Sequence, residues 1–297
     1  MHIARTVEEL RALRRRHEGD SWGLVPTMGF LHQGHLELVH RARRENQRVA
    51  ASIFVNPTQF DQSEDLENYP RNLERDLELL ENAGTDLAFC PPPEEVYPPG
   101  FQTYVTVEEA SQPLEGQSRS GHFRGVATVV AKLFCLIRPT RAYFGQKDAQ
   151  QCVVIQRMAQ DLGFDLEVVI CPTVREADGL AMSSRNARLS PEQRRSAPVL
   201  YRALRAAAEA LANGEGSGEV LRRRMTEIID AEPLARIDYV SVANPASLAE
   251  CDRIGTEVLL SLAVFYGTIR LIDNLLLEAP FGPIAGAAGV AHRVEKD

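Results

Sequence analysis

Apolar residues in the first half of the chain fall in short unbroken runs separated by stretches of helical period. The runs end at Val25, Val55, Cys90, Phe144 and Ile170, beginning respectively at Trp22, Ala50, Asp86, Arg141 and Leu166. Such blocks are the pattern of parallel strands covered on both faces. Between them lie amphipathic stretches. Thr6-Val7-Glu8-Glu9 is a capping box that opens a helix to about Arg16, with Met1–Thr6 read as its lead-in. Gly34–Glu45, Leu73–Ala83 (stopped by Gly84), Gly125–Ile137 and Asp148–Gln160 read as helices, with Asp148 as an N-cap. This alternation predicts an α/β fold, a Rossmann-like doubly wound parallel sheet.

The pattern changes after about Pro172. Ser190-Pro191-Glu192-Gln193 caps a long Ala/Arg/Leu helix running to Ala212, and Val220–Ile229 forms another. Strand-like runs follow at Ile237–Val242, Val258–Phe265 and Ile269–Ile272. The order predicts a second, smaller α+β domain. The expected division is 1–172, 173–279 and a disordered tail 280–297 rich in Ala, Gly and Pro.

Composition narrows the function classes. The chain has 297 residues and a formal net charge of −8, which argues against nucleic acid or an anionic membrane as partner. The five scattered cysteines form no Cys-x-x-Cys and read as reduced thiols of a cytoplasmic protein. No apolar run is long enough for a bilayer span, and no signal-peptide core is present.

The candidate chemistry sits where strands run into helices. Met28-Gly29-Phe30-Leu31-His32-Gln33-Gly34-His35 follows the first apolar run. A His-x-Gly-His at a helix start can hold phosphates through imidazole donors and the positive end of the helix dipole. Gly29 and Gly34 have P-loop spacing, but His35-Leu36 stands where Lys-Ser/Thr is needed, and no Gly-x-Gly-x-x-Gly follows an early strand. Gly145-Gln146-Lys147-Asp148 offers a lysine at another strand end. Gly179–Asn186 offers Ser183, Ser184 and Arg185 in a small-residue loop suited to a phosphate clamp or an interdomain linker. Arg119–Arg124 is a basic loop that holds an anion or is simply exposed, and Gln59 and Gln151 are neutral amides able to orient a polar substrate.

Taken in order, Pro26–His35, Phe54-Val55-Asn56-Pro57-Thr58-Gln59-Phe60, Gly121–Gly125, Phe144–Asp148, Asp178–Asn186 and Arg270–Asn274 resemble the pantoate–β-alanine ligase family of the His-x-Gly-His nucleotidylyltransferases. The resemblance runs to about Glu278. It implies ATP-dependent condensation of pantoate with β-alanine through a pantoyl adenylate, releasing pyrophosphate and AMP. By similarity, residues 28–35, Gly145, Gln146, Lys147, Asp148, Val174, Met182, Ser183, Ser184 and Arg185 line the ATP site. His32, His35, Lys147 and Arg185 carry the chemistry, with His35 as the proton donor. Asn56, Gln59, Gln151 and Arg119 bind pantoate or β-alanine. Mg²⁺ bridges the ATP phosphates, with Asp76 as an outer ligand, and the assembly is a cytoplasmic homodimer whose second domain acts as a lid. Three positions depart from the family pattern. Gln146 replaces a common Glu, Ser120 a frequent Pro, and Thr58 a usual Met. From the residues alone, two other readings stand: a nucleotidyl transferase for a phosphorylated acceptor, and a nucleotide-binding module without catalysis.

Overall fold

The computed structural model describes residues 1–60 and 63–282. Its contacts divide the chain into two compact units at Thr173/Val174. The tail expected to be disordered lies, from residue 283 on, outside the described residues.

In chain order the first unit contains strands β1 (His2–Ala4), β2 (Trp22–Thr27), β3 (Arg48–Ile53), β4 (Leu87–Phe89), β5 (Arg141–Gly145) and β6 (Glu167–Cys171). Its helices are α1 (Val7–Arg16), α2 (Gln33–Glu45), α3 (Ser63–Glu67), α4 (Leu73–Asn82), α5 (Pro93–Val96), α6 (Glu115–Ser118), α7 (His122–Ile137) and α8 (Ala149–Asp161). The sheet is six-stranded and parallel, in the order β1-β4-β3-β2-β5-β6. Successive residues feed opposite cores, as the twofold period of a strand requires. Leu24, Ala50, Leu87, Ala142 and Phe144 pack with residues of α1, α7 and α8. Val25, Val49, Ala51, Ala88 and Tyr143 pack with residues of α2 and α4. Both faces are therefore covered, which is the doubly wound arrangement.

The chain runs outward from β2 through β3 to β4, then returns to place β5 on the other side of β2. The carboxyl ends of β2 and β5 flank a topological switch point, where open α/β sheets bind ligands.

The second unit is a three-stranded antiparallel sheet, β7 (Arg236–Ala243), β8 (Glu257–Tyr266) and β9 (Ile269–Glu278), in that order. Helices α9 (Pro191–Ser196), α10 (Val199–Ala212) and α11 (Gly218–Asp230) accompany it. Val258, Leu260, Leu262 and Val264 pack against Leu200, Leu204, Leu221 and Met225.

Several boundaries differ from the sequence reading. Met1–Thr6 is more than a lead-in, because His2–Ala4 pairs with β4 at the sheet edge. The long helix to Ala212 is two helices, broken at Ala197-Pro198, since proline has no N–H for the preceding turn. The last strand runs to Glu278, six residues past the expected end at Ile272. Helix α7 starts at His122 rather than Gly125, directly after Gly121 at φ +78°.

Candidate active site

The turn after β2 is built by one distant carboxylate. Gly29 adopts φ +84° and Phe30 φ +50°. Asp76, in the first turn of α4 and 1% exposed, accepts the N–H of Phe30 and the N–H of Leu31, both at 2.7 Å. Thr27 Oγ1 accepts the N–H of Gly29 at 3.2 Å, and Arg75 donates to the Leu31 carbonyl at 2.9 Å. A Cβ on Gly29 would sit 3.0 Å from both Asp76 Oδ2 and Ile53 Cγ2, so glycine answers to space as well as to φ. Leu31 is 1% exposed and its N–H is held by Asp76. Asp76 places both oxygens on backbone N–H groups and so anchors this turn.

Helix α2 then begins with the two histidines. His32 is the N-cap and His35 the third helical residue, with ring centroids 4.1 Å apart. His35 Nδ1 accepts the backbone N–H of His32 at 3.3 Å, which leaves the ring proton on Nε2. Burial, then the nearby His32, push the His35 pKa down to about 3; Asp148 opposes this and Lys147 adds to it. The free protein thus holds His35 neutral at pH 7, a hydrogen-bond donor through Nε2–H rather than an acid. The Gln33 side chain is exposed and donates to Glu37 at 2.6 Å, which leaves its backbone for a ligand. The N–H groups of Gln33 and Gly34, at the open end of α2, have no acceptor among the described residues.

At the end of β5, Gln146–Asp148 forms a single 3-10 turn. Lys147 Nζ lies 3.5 Å from Asp148 Oδ1, and the lysine side chain is 17% exposed. Asp148 occupies the N-cap position of α8, but its side chain makes no cap bond, contrary to expectation. A Cβ on Gly145 would meet nothing within 4 Å, so the chain is open there. In the first turn of α8, two adjacent glutamines divide their work. Gln150 is 4% exposed and ties the 110–115 segment through Ala110, Pro113 and Glu115. Gln151 is half-buried, and its amide has no partner among the described residues.

The turn after β3 is the third element. Asn56, 1% exposed, donates to Gln59 Oε1 at 3.0 Å and to the Gly125 carbonyl at 3.1 Å. Its Oδ1 accepts from Thr58 and from the Tyr97 hydroxyl. Asn56 thus supports the Gln59 amide. Gln59 Nε2 donates to Met28 Sδ at 3.0 Å, which joins this turn to the one after β2. Thr58 Oγ1 is engaged by Asn56 and Tyr97, so the threonine is integral to the turn. The basic loop is only partly exposed: Arg119 is half-buried and donates to the Gln59 carbonyl at 3.3 Å, while His122 is buried in α7.

In the second unit the 174–188 segment is knitted together rather than loose. Met182 N–H donates to the Val174 carbonyl at 2.9 Å, bringing those two residues together. Ser183 Oγ accepts the Arg185 N–H at 3.3 Å and caps the turn Ser184–Arg188. Arg194 pairs with Glu176 at 2.5 Å and with Asp178 at 2.6 Å; Glu176 also accepts from Asn186 at 3.0 Å. Arg175 makes a two-pronged pair with Asp273, at 2.6 and 2.9 Å, and stacks 3.9 Å over Tyr201. Asp273 of the Arg270–Asn274 motif, 2% exposed, is thus the partner of Arg175, while Arg270 pairs with Asp238 at 2.6 Å.

The first unit therefore brings His32, His35, Lys147 and Asp148 together, and separately Met28, Gln59, Arg119 and His122. Val174, Met182, Ser183, Ser184 and Arg185 share one ordered segment of the second unit. Sequence reasoning missed the anchoring duties of Asp76 and Asn56 and the burial of His122, because no local pattern marks a partner tens of residues away.

Comparisons with known proteins agree on one family. The family model described as pantoate-beta-alanine ligase matches residues 2–276. A pantothenate synthetase of Chloroflexus aggregans is 61% identical over 278 residues, 93% of this chain and 100% of the relative. One of Roseiflexus sp. is 59% identical over 94% of this chain and 100% of the relative. The crystal structure of pantothenate synthetase from Thermus thermophilus superposes with a TM-score of 0.89 at 53% identity, covering 93% of this chain and 99% of that one. A pantoate-beta-alanine ligase from Francisella tularensis, complexed with beta-gamma ATP and beta-alanine, gives a TM-score of 0.77 at 32% identity over 93% and 97% of the two chains.

Proposed function

The chain belongs to the pantoate–β-alanine ligase family and forms pantothenate from pantoate and β-alanine with ATP, and we propose how its residues divide that work. The observation that carries the assignment of roles is the gathering of His32, His35 and Lys147 beside the switch point between β2 and β5. A pantoate carboxylate oxygen attacks the α-phosphorus of ATP, and the bond to the β-phosphate breaks to release pyrophosphate. The β-alanine amine then attacks the carbonyl carbon of the adenylate, AMP leaves, and the amide loses its extra proton to solvent.

Negative charge grows on the phosphate oxygens in the first step. His35 meets it as a neutral Nε2–H donor, beside His32 and the free N–H groups of the α2 end. Lys147 and Arg185 neutralise the α-phosphate, and Ser183 and Ser184 contact the outer phosphates; the Ser183 hydroxyl still has its proton to donate after capping the following turn. Gly145, Gln146, Asp148, Val174 and Met182 surround the adenosine, which the open space at Gly145 supports. Gln59 and Gln151 hold pantoate, supported by the anchored amide of the first and the uncommitted amide of the second. Arg119 attracts the carboxylates. Mg²⁺ would accompany ATP and would help neutralise its phosphates, while Asp76 holds the turn beneath them.

The reading extends to a cytoplasmic homodimer paired through the first unit, as symmetric pairing is the commonest assembly. All five cysteines are free thiols, in keeping with a reducing compartment. Among the described residues no helix is long and apolar enough to cross a membrane. The decisive experiment is a coupled AMP assay with each substrate omitted in turn, together with pantoate-dependent ATP–pyrophosphate exchange. Exchange requiring pantoate, and AMP release requiring β-alanine as well, is the expected result. Turnover with a phosphorylated acceptor in place of pantoate would overturn it.

A further inference from the structure

His122 stands outside the roles assigned above, yet its ring is gripped by two of their members. It lies in the first turn of α7 and is 7% exposed. Nδ1 is 2.8 Å from the backbone oxygen of Gln59, and Nε2 is 3.1 Å from Nη1 of Arg119. A carbonyl oxygen only accepts and a guanidinium only donates. For both contacts to be hydrogen bonds, the ring carries its proton on Nδ1 and offers the Nε2 lone pair to Arg119. Nη2 of Arg119 donates to the same Gln59 carbonyl at 3.3 Å, closing a three-membered ring of contacts.

The remaining supports of Gln59 come from other directions. Asn56 holds its Oε1, and Met28 accepts from its Nε2. Gly125, one turn beyond His122, lets α7 lie against the Thr58–Gln59 backbone, where a Cβ would come within 2.4 Å of the Thr58 oxygen. His122 couples the Gln59 main chain to the Arg119 side chain through a single rigid plane.

We propose that His122 is a positioning residue for the carboxylate-substrate side of the site, setting the Gln59 backbone and the Arg119 guanidinium together while touching no substrate. The inference rests on the reading of Gln59 as a pantoate contact. An apolar replacement takes a donor from the Gln59 carbonyl and an acceptor from Arg119, and both groups shift. These two hydrogen bonds of the ring run to residues assigned to the carboxylate substrates, so the effect is expected on pantoate rather than on ATP. Because a displacement of about 1 Å in a positioned group can cost up to 10²-fold in rate, the expected effect is large.

The test is steady-state kinetics of the full-length His122→Leu, His122→Asn and His122→Gln variants, with pantoate-dependent ATP–pyrophosphate exchange as a second readout. The Asn amide can place an N–H where Nδ1 was, toward Gln59, whereas the Gln amide reaches the Nε2 position. The proposal expects pantoate KM to rise about tenfold or more in His122→Leu, ATP KM to stay within about twofold, and His122→Asn to recover more of the loss than His122→Gln. If the Leu variant fails to fold, the Asn–Gln difference still decides. Unchanged pantoate KM in every folded variant, a parallel rise in ATP KM, or Asn no better than Gln would overturn it. Absence of pantoate-dependent exchange in the unaltered protein would instead overturn the assigned substrate, and this inference with it.

Discussion

At His35 the fold keeps the hydrogen bond of an imidazole and suppresses its charge. The unfolded chain takes up this proton near the ordinary value of 6.5, and the folded chain only near 3. Between those values the unfolded state binds more protons, so stability contributed by the neutral ring is intact above about pH 6.5 and is lost as pH falls. By about pH 5 the loss from this one group is on the order of 2 kcal/mol. His35→Asn abolishes that term, so its urea midpoint should change less between about pH 7 and pH 5 than that of the unaltered chain; parallel shifts would refute the assignment. The same variant should slow pyrophosphate release roughly 10²–10³-fold, the usual cost of one preorganised donor at a charge-developing oxygen. Asp76 acts a step back from the chemistry. In Asp76→Asn one of the Phe30 and Leu31 N–H groups faces an amide N–H instead of an acceptor, at about 1–3 kcal/mol. A higher ATP KM with little change in pantoate KM should accompany the lower unfolding midpoint, and a change confined to pantoate would place the turn in the wrong subsite.

Among the elements, α7 and the turn after β3 show how helix packing sets a substrate contact. The Gly125 position has Thr58 O, Thr58 C and Gln59 N within 2.7 Å of an added Cβ, all of them backbone atoms that cannot swing aside. Gly125→Ala should push the turn away and raise pantoate KM about tenfold, leaving ATP KM near its original value; unaltered kinetics with an unaltered melting point would mean that the turn has room to give. This is also the scale at which the sequence was legible or opaque. The Thr6–Glu9 capping box and the alternation of Leu24 and Val25 between two cores are local patterns, and the structure keeps both. The histidine-bearing turn was likewise written in one stretch of chain. What escaped was long-range. Asp76 lies 45 and 46 residues from the N–H groups it holds, Arg175 lies 98 from Asp273, and β1 is too short to make an apolar run. Nor can spacing tell Gln150 from Gln151, because burial of the first depends on where the 110–115 segment passes.

Across the whole molecule the proposed chemistry is shared between two compact units, Lys147 in the first and Arg185 in the second. If both cations act on one α-phosphorus, their contributions cannot be independent. Each cation stabilises fully only a transition state that the other has helped to form, so once one is gone the second has less to stabilise. Distant residues with no shared partner add within about 0.3–0.5 kcal/mol, whereas residues acting on a common group show coupling of about 0.5–3 kcal/mol. A double-mutant cycle on Lys147→Ala and Arg185→Ala, read by single-turnover pyrophosphate release at saturating ATP and pantoate, measures this directly. The double variant should be less impaired than the product of the two single effects, with a coupling of at least about 1 kcal/mol. The same cycle read by pantoate affinity should be additive, since Gln59 and Gln151 carry that binding. Additivity in the pyrophosphate readout would separate the two cations, and Arg185 would then have to be reassigned from the α-phosphate to another part of the nucleotide.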